Sequence, residues 1–229
     1  MSQPGTVKTH PALVTYPAKA AFGRTLPKNK IYEHSKANKR LKDLFVKEVE
    51  QIVWEYKLAP ETINLPARPS VPEIQVFTLQ LKKPKLNRDV LRAIDNAVQF
   101  PILFELNFDG RTEVVACYKR PSEADASRWV LSDYFESSWL PAGGQRIAMP
   151  LALDLASLYE QLLHRLIPLQ ARPQEPLAAL VARFEQVQTR QREVASSAAR
   201  LEKEKQFNRR VEINATLRKL KTELEQLSR

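Results

Sequence analysis

The sequence contains only one cysteine, three histidines and five glycines among its 229 residues. The single cysteine, Cys117, excludes a disulfide framework and a cysteine-based zinc site, and it is typical of a reducing compartment. The scattered histidines provide no set of zinc ligands. The few glycines form neither a phosphate-binding loop nor the sharp turn that holds a nucleophilic serine. We therefore expect no cofactor and no bound metal ion.

Long apolar runs are also lacking. No segment approaches the ~18 uninterrupted apolar residues of a transmembrane helix. The N-terminal segment contains Pro4, Pro11 and Pro17 and has no apolar stretch of the kind found in signal peptides. We therefore expect no membrane association and a cytoplasmic location.

Basic residues, by contrast, are in excess, and they are concentrated towards both ends of a chain with a formal net charge of +10. Residues 1–57 carry 11 basic and 5 acidic side chains, and residues 176–229 carry 12 and 7. Residues 58–175 carry 13 and 14 and are nearly neutral. This distribution favours contact of the two ends with a polyanion such as DNA, although charge that serves only solubility is the alternative.

The pattern along the chain predicts four segments. Residues 1–35, rich in proline and lysine without periodicity, are expected to form a basic arm. Residues 36–170 are expected to form one α+β domain, and the prolines of residues 171–176 mark a linker. Residues 177–229 contain neither glycine nor proline and predict helices.

Within the α+β domain, apolar residues at helical spacing from Leu41 to Tyr56 predict a helix. Alternation from Ile74 to Leu81 predicts a strand, and Asn87 is a suitable N-cap for the amphipathic helix that follows. Asp109 and Gly110 form the favoured turn of a hairpin between two further strands. The order predicts a small mixed sheet with flanking helices.

The C-terminal segment shows two apolar stripes that are out of phase. The first runs from Leu177 to Leu201, and the second consists of Ile213, Leu217, Leu220, Leu224 and Leu227. The change of register predicts either one coiled-coil rod with a stutter or a helical hairpin that reverses near residues 207–210. The second stripe is the predicted surface for partner binding or self-association.

One catalytic site to which the sequence can be compared is the metal site of restriction-type nucleases. A restriction-type nuclease needs acids that hold a divalent cation and a lysine that helps to position water. The candidates with such spacing are Gln80, Lys82, Glu105, Asp109 and Glu113. Gln80 occupies the place of the customary acid, and the alternative is a polar surface on a half-exposed sheet.

Two basic groups are candidates for contact with nucleic acid. Lys82, Lys83, Lys85 and Arg88 precede or begin a predicted helix, whose N-terminal amides favour phosphate. The second group is Lys119, Arg120 and Arg128, which lie near Trp129 and Tyr134 in the sequence. For Arg120 and Arg128 the alternative is a local salt network with Glu123, Asp125 or Asp133.

Several segments resemble an uncharacterised prokaryotic family of domains of unknown function. They are FPILFEL at 100–106, YKRPSEAD at 118–125, DYFESSWL at 133–140, LALDLASLYEQLLHRL at 151–166 and KQFNRRVEIN at 205–214. Members of that family are typically encoded beside helicases and DNA methyltransferases in restriction-like or phage-defence clusters. The resemblance implies an accessory role in DNA-directed defence and implies no reaction.

These observations together predict a non-enzymatic adaptor that docks on a helicase or DNA methyltransferase and contacts DNA weakly, without sequence preference. A divergent metal-dependent nuclease is the alternative from another class. A self-associating scaffold without a nucleic-acid role is the second alternative.

Overall fold

A computed structural model of the protein describes residues 12–125 and 128–229. The chain divides into two compact units, with the division between Leu166 and Ile167. The first unit contains a seven-stranded, mostly antiparallel sheet with flanking helices, and the second contains two long helices. The predicted α+β fold class is confirmed.

The first unit contains all the strands of the described residues. They are β1 (Val14–Thr15), β2 (Ala21–Thr25), β3 (Val49–Leu58), β4 (Ile74–Leu81), β5 (Ile102–Phe108), β6 (Arg111–Pro121), β7 (Trp129–Glu136), β8 (Leu140–Pro141) and β9 (Ile147–Ala148). The helices are α1 (Lys28–Ser35), α2 (Lys39–Glu48), α3 (Pro60–Ile63), α4 (Arg88–Ala97), α5 (Leu155–His164), α6 (Leu177–Lys203) and α7 (Phe207–Ser228).

The main sheet has the order β2-β3-β4-β5-β6-β7, and β8 adds to the edge of β6. Only the β4–β5 pair is parallel among these neighbours, and α4 makes the crossover between its two strands. The predicted N-cap is confirmed, since the Asn87 side chain accepts a hydrogen bond from the backbone N–H of Asp89. The predicted hairpin is confirmed as well, with Asp109 and Gly110 both at positive φ between β5 and β6.

One face of the sheet carries the main apolar core. Phe77 and Phe104 lie side by side on the parallel strands, and both are almost fully buried. Residues of α1, α2 and α4 pack over them, including Phe45 and Ile94. Cys117 belongs to the same core, in accordance with a structural role for the only thiol.

The N-terminal region differs from the predicted arm. Its first eleven residues lie outside the described residues, but residues 12–35 contain β1, β2 and α1. Strand β2 pairs with β3, and Ile31 of α1 is buried in the main core. The apolar residues of this segment contact residues that are distant in the sequence, and such contacts produce no periodic apolar pattern from which helices or strands could be predicted.

The helix predicted from Leu41 to Tyr56 is in fact a helix followed by a strand, α2 and then β3. Register irregularities interrupt β3 between Val49 and Gln51 and between Trp54 and Tyr56. Each bulge adds one residue and shifts the alternation of side chains between the two faces. The apolar positions of a bulged strand thereby imitate helical spacing.

The second unit is a helical hairpin, which is one of the two predicted arrangements. The chain reverses at residues 204–206, between α6 and α7. The Arg183 guanidinium donates to the Leu227 carbonyl, and Arg190 pairs with Glu223, so the end of α7 lies beside the first half of α6. Among the described residues, no helix has the length and apolar character required to span a membrane.

Candidate nucleic-acid interface

Two basic segments that are distant in the sequence meet on one surface of the first unit. Residues 28–48, which form α1 and α2, and residues 82–92, which include the start of α4, carry 12 basic and 4 acidic side chains together. We call the exposed face of these two segments the basic helical surface. It contains the first predicted basic group, Lys82, Lys83, Lys85 and Arg88, all of which are exposed.

Side-chain contacts hold the two segments together at the C-terminus of α2. The Lys82 ammonium donates to the Val46 carbonyl at 2.9 Å, and the Lys28 ammonium donates to the Val49 carbonyl at 2.6 Å. Cations at this end of a helix are stabilised by its unpaired carbonyls and its dipole. Burial and the neighbouring Lys82 lower the pKa of Lys28. The helix end thereby gathers two like charges on one surface.

At the N-terminus of α4, a carboxylate of the protein itself occupies the position where an anion would bind. Glu48 is buried, and its Oε2 accepts the backbone N–H of Asn87 at 2.6 Å. Its Oε1 lies 3.0 Å from the Lys83 ammonium. The amides that were expected to favour phosphate are therefore partly satisfied within the chain, and a phosphate would be met mainly by lysine and arginine side chains.

The second predicted basic group is divided by the structure. Lys119 is only 1% exposed, and its ammonium donates to the backbone carbonyls of Asp95 and Val98. Burial lowers the pKa of Lys119, and the neighbouring Asp95 opposes that shift. An ammonium group in the core cannot reach a nucleic-acid backbone, so Lys119 is not part of the candidate interface. A position on β6 close to apolar neighbours was the only sequence signal of its burial.

Arg120 and Arg128 have local acidic partners, as the salt-network alternative expects. Arg120 lies 3.3 Å from Glu123, and Arg128 lies 3.2 Å from Asp125. Both pairs are substantially exposed, so each contributes little to stability and competes only weakly with another anion. These two arginines lie in sequence beyond the basic helical surface.

A groove of about 660 Å³ adjoins the basic helical surface at the start of α4. Lys85, Arg88 and Leu91 line one side of the groove, and Glu113 of β6 and Trp139 line the other. The guanidinium of Arg88 lies 3.0 Å from the Glu136 carboxylate, also in the lining. Burial and the negative charge of Glu136 raise the pKa of Glu113 to about 7, although Arg88 opposes the shift. A carboxyl group with a pKa perturbed in a concave site is a candidate functional group.

The five residues of the nuclease alternative do not assemble. Across the β5–β6 pair, Glu105 is opposite Val114 and Leu106 is opposite Glu113, so the two glutamates point to opposite faces of the sheet. Arg146 binds both carboxylate oxygens of Glu105, at 2.8 and 2.6 Å. Gln80 is on the face of Glu105, and Asp109 is in the turn. Within residues 12–125 and 128–229, no three His, Cys, Asp or Glu side chains are grouped so as to hold a metal ion.

The predicted partner-binding stripe lies along α7. Leu217 is buried, whereas the four remaining members are partly exposed: Ile213, Leu220, Leu224 and Leu227. A partner would meet only the exposed part of this stripe. Phe207 and Val211, at the start of the same helix, are more exposed than any member of the stripe.

Comparison with known proteins gives one match. A family model described as a domain of unknown function, DUF4391, matches residues 14–224 and thus includes most of both units. No curated protein and no solved structure matches the chain at a significant level.

Proposed function

Because the chain belongs to the DUF4391 family, whose description names no activity, its role has to be argued from its own residues, and we propose that it is a non-enzymatic accessory subunit of a DNA-acting complex. In this proposal the basic helical surface makes weak contacts with the DNA backbone, without sequence preference. The main support is the excess of basic over acidic side chains, 12 against 4, in the two segments that carry the basic helical surface, residues 28–48 and 82–92.

Several cations of this surface are available to an external anion. Lys36, Lys39, Lys47 and Lys85 are exposed, and they form no ion pair within the part of the chain that the structure describes. Each phosphate that such a side chain neutralises releases a counterion, and the affinity then falls steeply as the salt concentration rises. Contacts of this kind carry no sequence information.

The proposed partner is a helicase or a DNA methyltransferase in a restriction-like or phage-defence complex of the cytoplasm. Support for this part comes from the sequence resemblance and from the partly exposed stripe on α7. The protein itself would supply docking and DNA contact, and the partner would supply the chemistry. Self-association through α7 is the competing role for the same stripe.

A test of the DNA contact is fluorescence anisotropy with a labelled duplex of arbitrary sequence. We expect binding at micromolar protein in ~50 mM salt and a loss of at least tenfold in affinity at ~200 mM. The variant Lys39→Glu/Lys47→Glu/Lys85→Glu should weaken binding strongly. A matched control, Lys203→Glu/Lys205→Glu/Lys221→Glu, changes the net charge equally at exposed residues of α6, of α7 and of the turn between them.

The results decide between a local surface and general basicity. Binding that survives in the control and is lost in the first variant supports the basic helical surface. Equal losses in both variants would remove the special role of that surface, and no binding at ~50 mM salt would overturn the proposed DNA contact. Co-purification of the tagged protein with a helicase or methyltransferase tests the partner, and recovery of the protein with only itself would contradict it.

A further inference from the structure

The groove at the start of α4 differs in character from the open lysine surface beside it. Its lining includes the apolar side chains of Leu91, Leu106 and Val115 together with the ring of Trp139. Its volume of about 660 Å³ lies within the range of sites that hold small organic ligands. A phosphate alone does not require apolar walls or an aromatic ring, so these features point to a flat, partly apolar group.

Glu113 provides the polar element of this groove. Its carboxylate is half-buried, and it forms neither a hydrogen bond nor an ion pair within residues 12–125 and 128–229. The charged groups around it are Arg88 of α4 and Glu136 of β7, which pair with each other, and Lys85 of the preceding loop lines the same groove. Among the described residues only Asp95 Oδ1 is a buried side-chain oxygen without a partner, so the Glu113 oxygens are still accessible and can accept further hydrogen bonds. A ligand with N–H donors would supply such bonds.

We propose that this groove holds an unpaired, amino-bearing nucleobase, cytosine in particular, with its ring against Trp139 and its amino group donating to Glu113. The proposal rests on the DNA contact proposed above, since it assigns a base to the strand that the lysines hold. Carboxylates accept hydrogen bonds from the N4 amino group of cytosine, and aromatic side chains stack on unpaired bases. Lys85 is exposed at the same groove and is suited to the phosphate attached to that base.

Thymine is the informative comparison, because it carries a carbonyl oxygen where cytosine carries the amino group. The ionised carboxylate of Glu113 attracts the amino group and repels the carbonyl oxygen. Preference for cytosine should therefore be present above pH 7, where Glu113 is ionised, and should decline as the pH falls below 7. The other charged groups that line the groove are Arg88, Lys85 and Glu136.

The test compares two fluorescent heptamers, seven thymidines and the same strand with a central cytidine. At pH 8 and low salt we expect roughly tenfold tighter binding of the cytidine strand. Glu113→Gln should abolish the preference while leaving the salt dependence unchanged, because an amide serves both bases. Trp139→Leu should weaken the binding of both strands, and Glu123→Gln, at an exposed position beyond the end of β6, should change neither affinity. Circular dichroism shows whether each variant is folded.

The outcomes separate this inference from the proposed function. Equal, salt-dependent binding of both heptamers would overturn the nucleobase site and leave the DNA contact standing. Failure of both heptamers and of the duplex would overturn the two proposals together. Titration with free dCMP, monitored by tryptophan fluorescence, distinguishes a base in DNA from a free nucleotide. A response to dCMP without a preference between the heptamers would assign the groove to free nucleotides and overturn its assignment to a base of DNA.

Discussion

The ammonium group of Lys119 lies 3.7 Å from the carboxylate of Asp95, and both side chains are withdrawn from solvent. Tyr134 donates a hydrogen bond of 2.5 Å to Oδ2 of Asp95, whereas Oδ1 has no hydrogen-bond partner among the described residues. Burial raises the pKa of Asp95 and lowers that of Lys119. The pair connects α4 to β6, so the helix and the sheet share one buried electrostatic network.

Removal of one partner of this pair should be costly. Asp95→Ala leaves the Lys119 ammonium buried without its carboxylate, and we expect a loss of about 3–5 kcal/mol in the free energy of unfolding. Asp89→Ala is the matched control on the same helix, since Asp89 forms only an exposed pair with Arg40, and it should cost less than about 1 kcal/mol. Urea denaturation measures both. Similar small losses would mean that the network contributes little.

Phe104 should be among the most sensitive core positions. It is fully buried on β5 and contacts the rings of Phe77 and Tyr134 edge-on. Phe104→Ala leaves a cavity under α4, and we expect a loss of about 3–5 kcal/mol in stability. Phe108→Ala, at the partly exposed end of the same strand, should cost clearly less. An unchanged melting temperature in Phe104→Ala would contradict the arrangement of the sheet.

The helical hairpin should depend on Leu217 far more than on its neighbours along α7. Leu217→Asp places a charge at a buried position and should open the hairpin, which hydrogen exchange in α6 and α7 would detect. Val211→Asp is the control, because Val211 is 53% exposed on the same helix. If both variants exchange at the wild-type rate, then Leu217 does not help to hold the two helices together.

The hairpin should also weaken in acid. Arg183 binds Glu175 through two hydrogen bonds of 2.8 and 2.7 Å, and this pairing lowers the pKa of Glu175 to about 2. Since the folded-state pKa is below the unfolded value of about 4.5, the pair stabilises the hairpin fully above that value. Stability should be lost as the pH falls from about 4.5 to about 2.

The matched measurement uses Glu175→Gln, which removes the titrating group. Hydrogen exchange in α6 and α7 should show a smaller dependence on pH between 5 and 2 in this variant than in the wild type. Other carboxylates of the hairpin titrate in both proteins, so only the difference reports on Glu175. Identical pH dependence in the two proteins would contradict this role.

Local patterns predicted the elements whose signals are themselves local. The bounds of β4 follow from the alternation over residues 74–81, the start of α4 follows from Asn87, and the hairpin follows from Asp109 and Gly110. The change of apolar register left a rod and a hairpin open, and the structure has the hairpin, with its reversal a few residues before residues 207–210. In each case the residues that carry the signal are within one or two turns of the feature that they determine.

The candidate site depended on long-range packing and was therefore only partly predictable. The basic loop at Lys82–Arg88 was visible in the sequence, but its meeting with residues 28–48 was not. The sequence pointed to Glu113 as a metal ligand together with Glu105 and Asp109, but in the structure Glu113 lies in a groove that contains neither of them. Its groove includes Trp139 and Glu136, whose approach depends on the pairing of β6 with β7. Lys119 was predicted to contact nucleic acid because a lysine on a strand is ordinarily exposed, but it is buried.

The pairing of β1 with β9 has a consequence for how the chain acquires its structure during synthesis. Val14 is paired with Ile147, and β9 is the only strand that pairs with β1 among the described residues. The Arg146 side chain that binds the Val14 carbonyl is 132 residues further along the chain. At ribosomal speeds of roughly 5–20 residues per second, the N-terminal strand waits on the order of ten seconds for its partner to emerge. Strand β1 is thus among the last parts of the first unit to be paired, and a nascent chain that stalls before residue 146 leaves it unpaired.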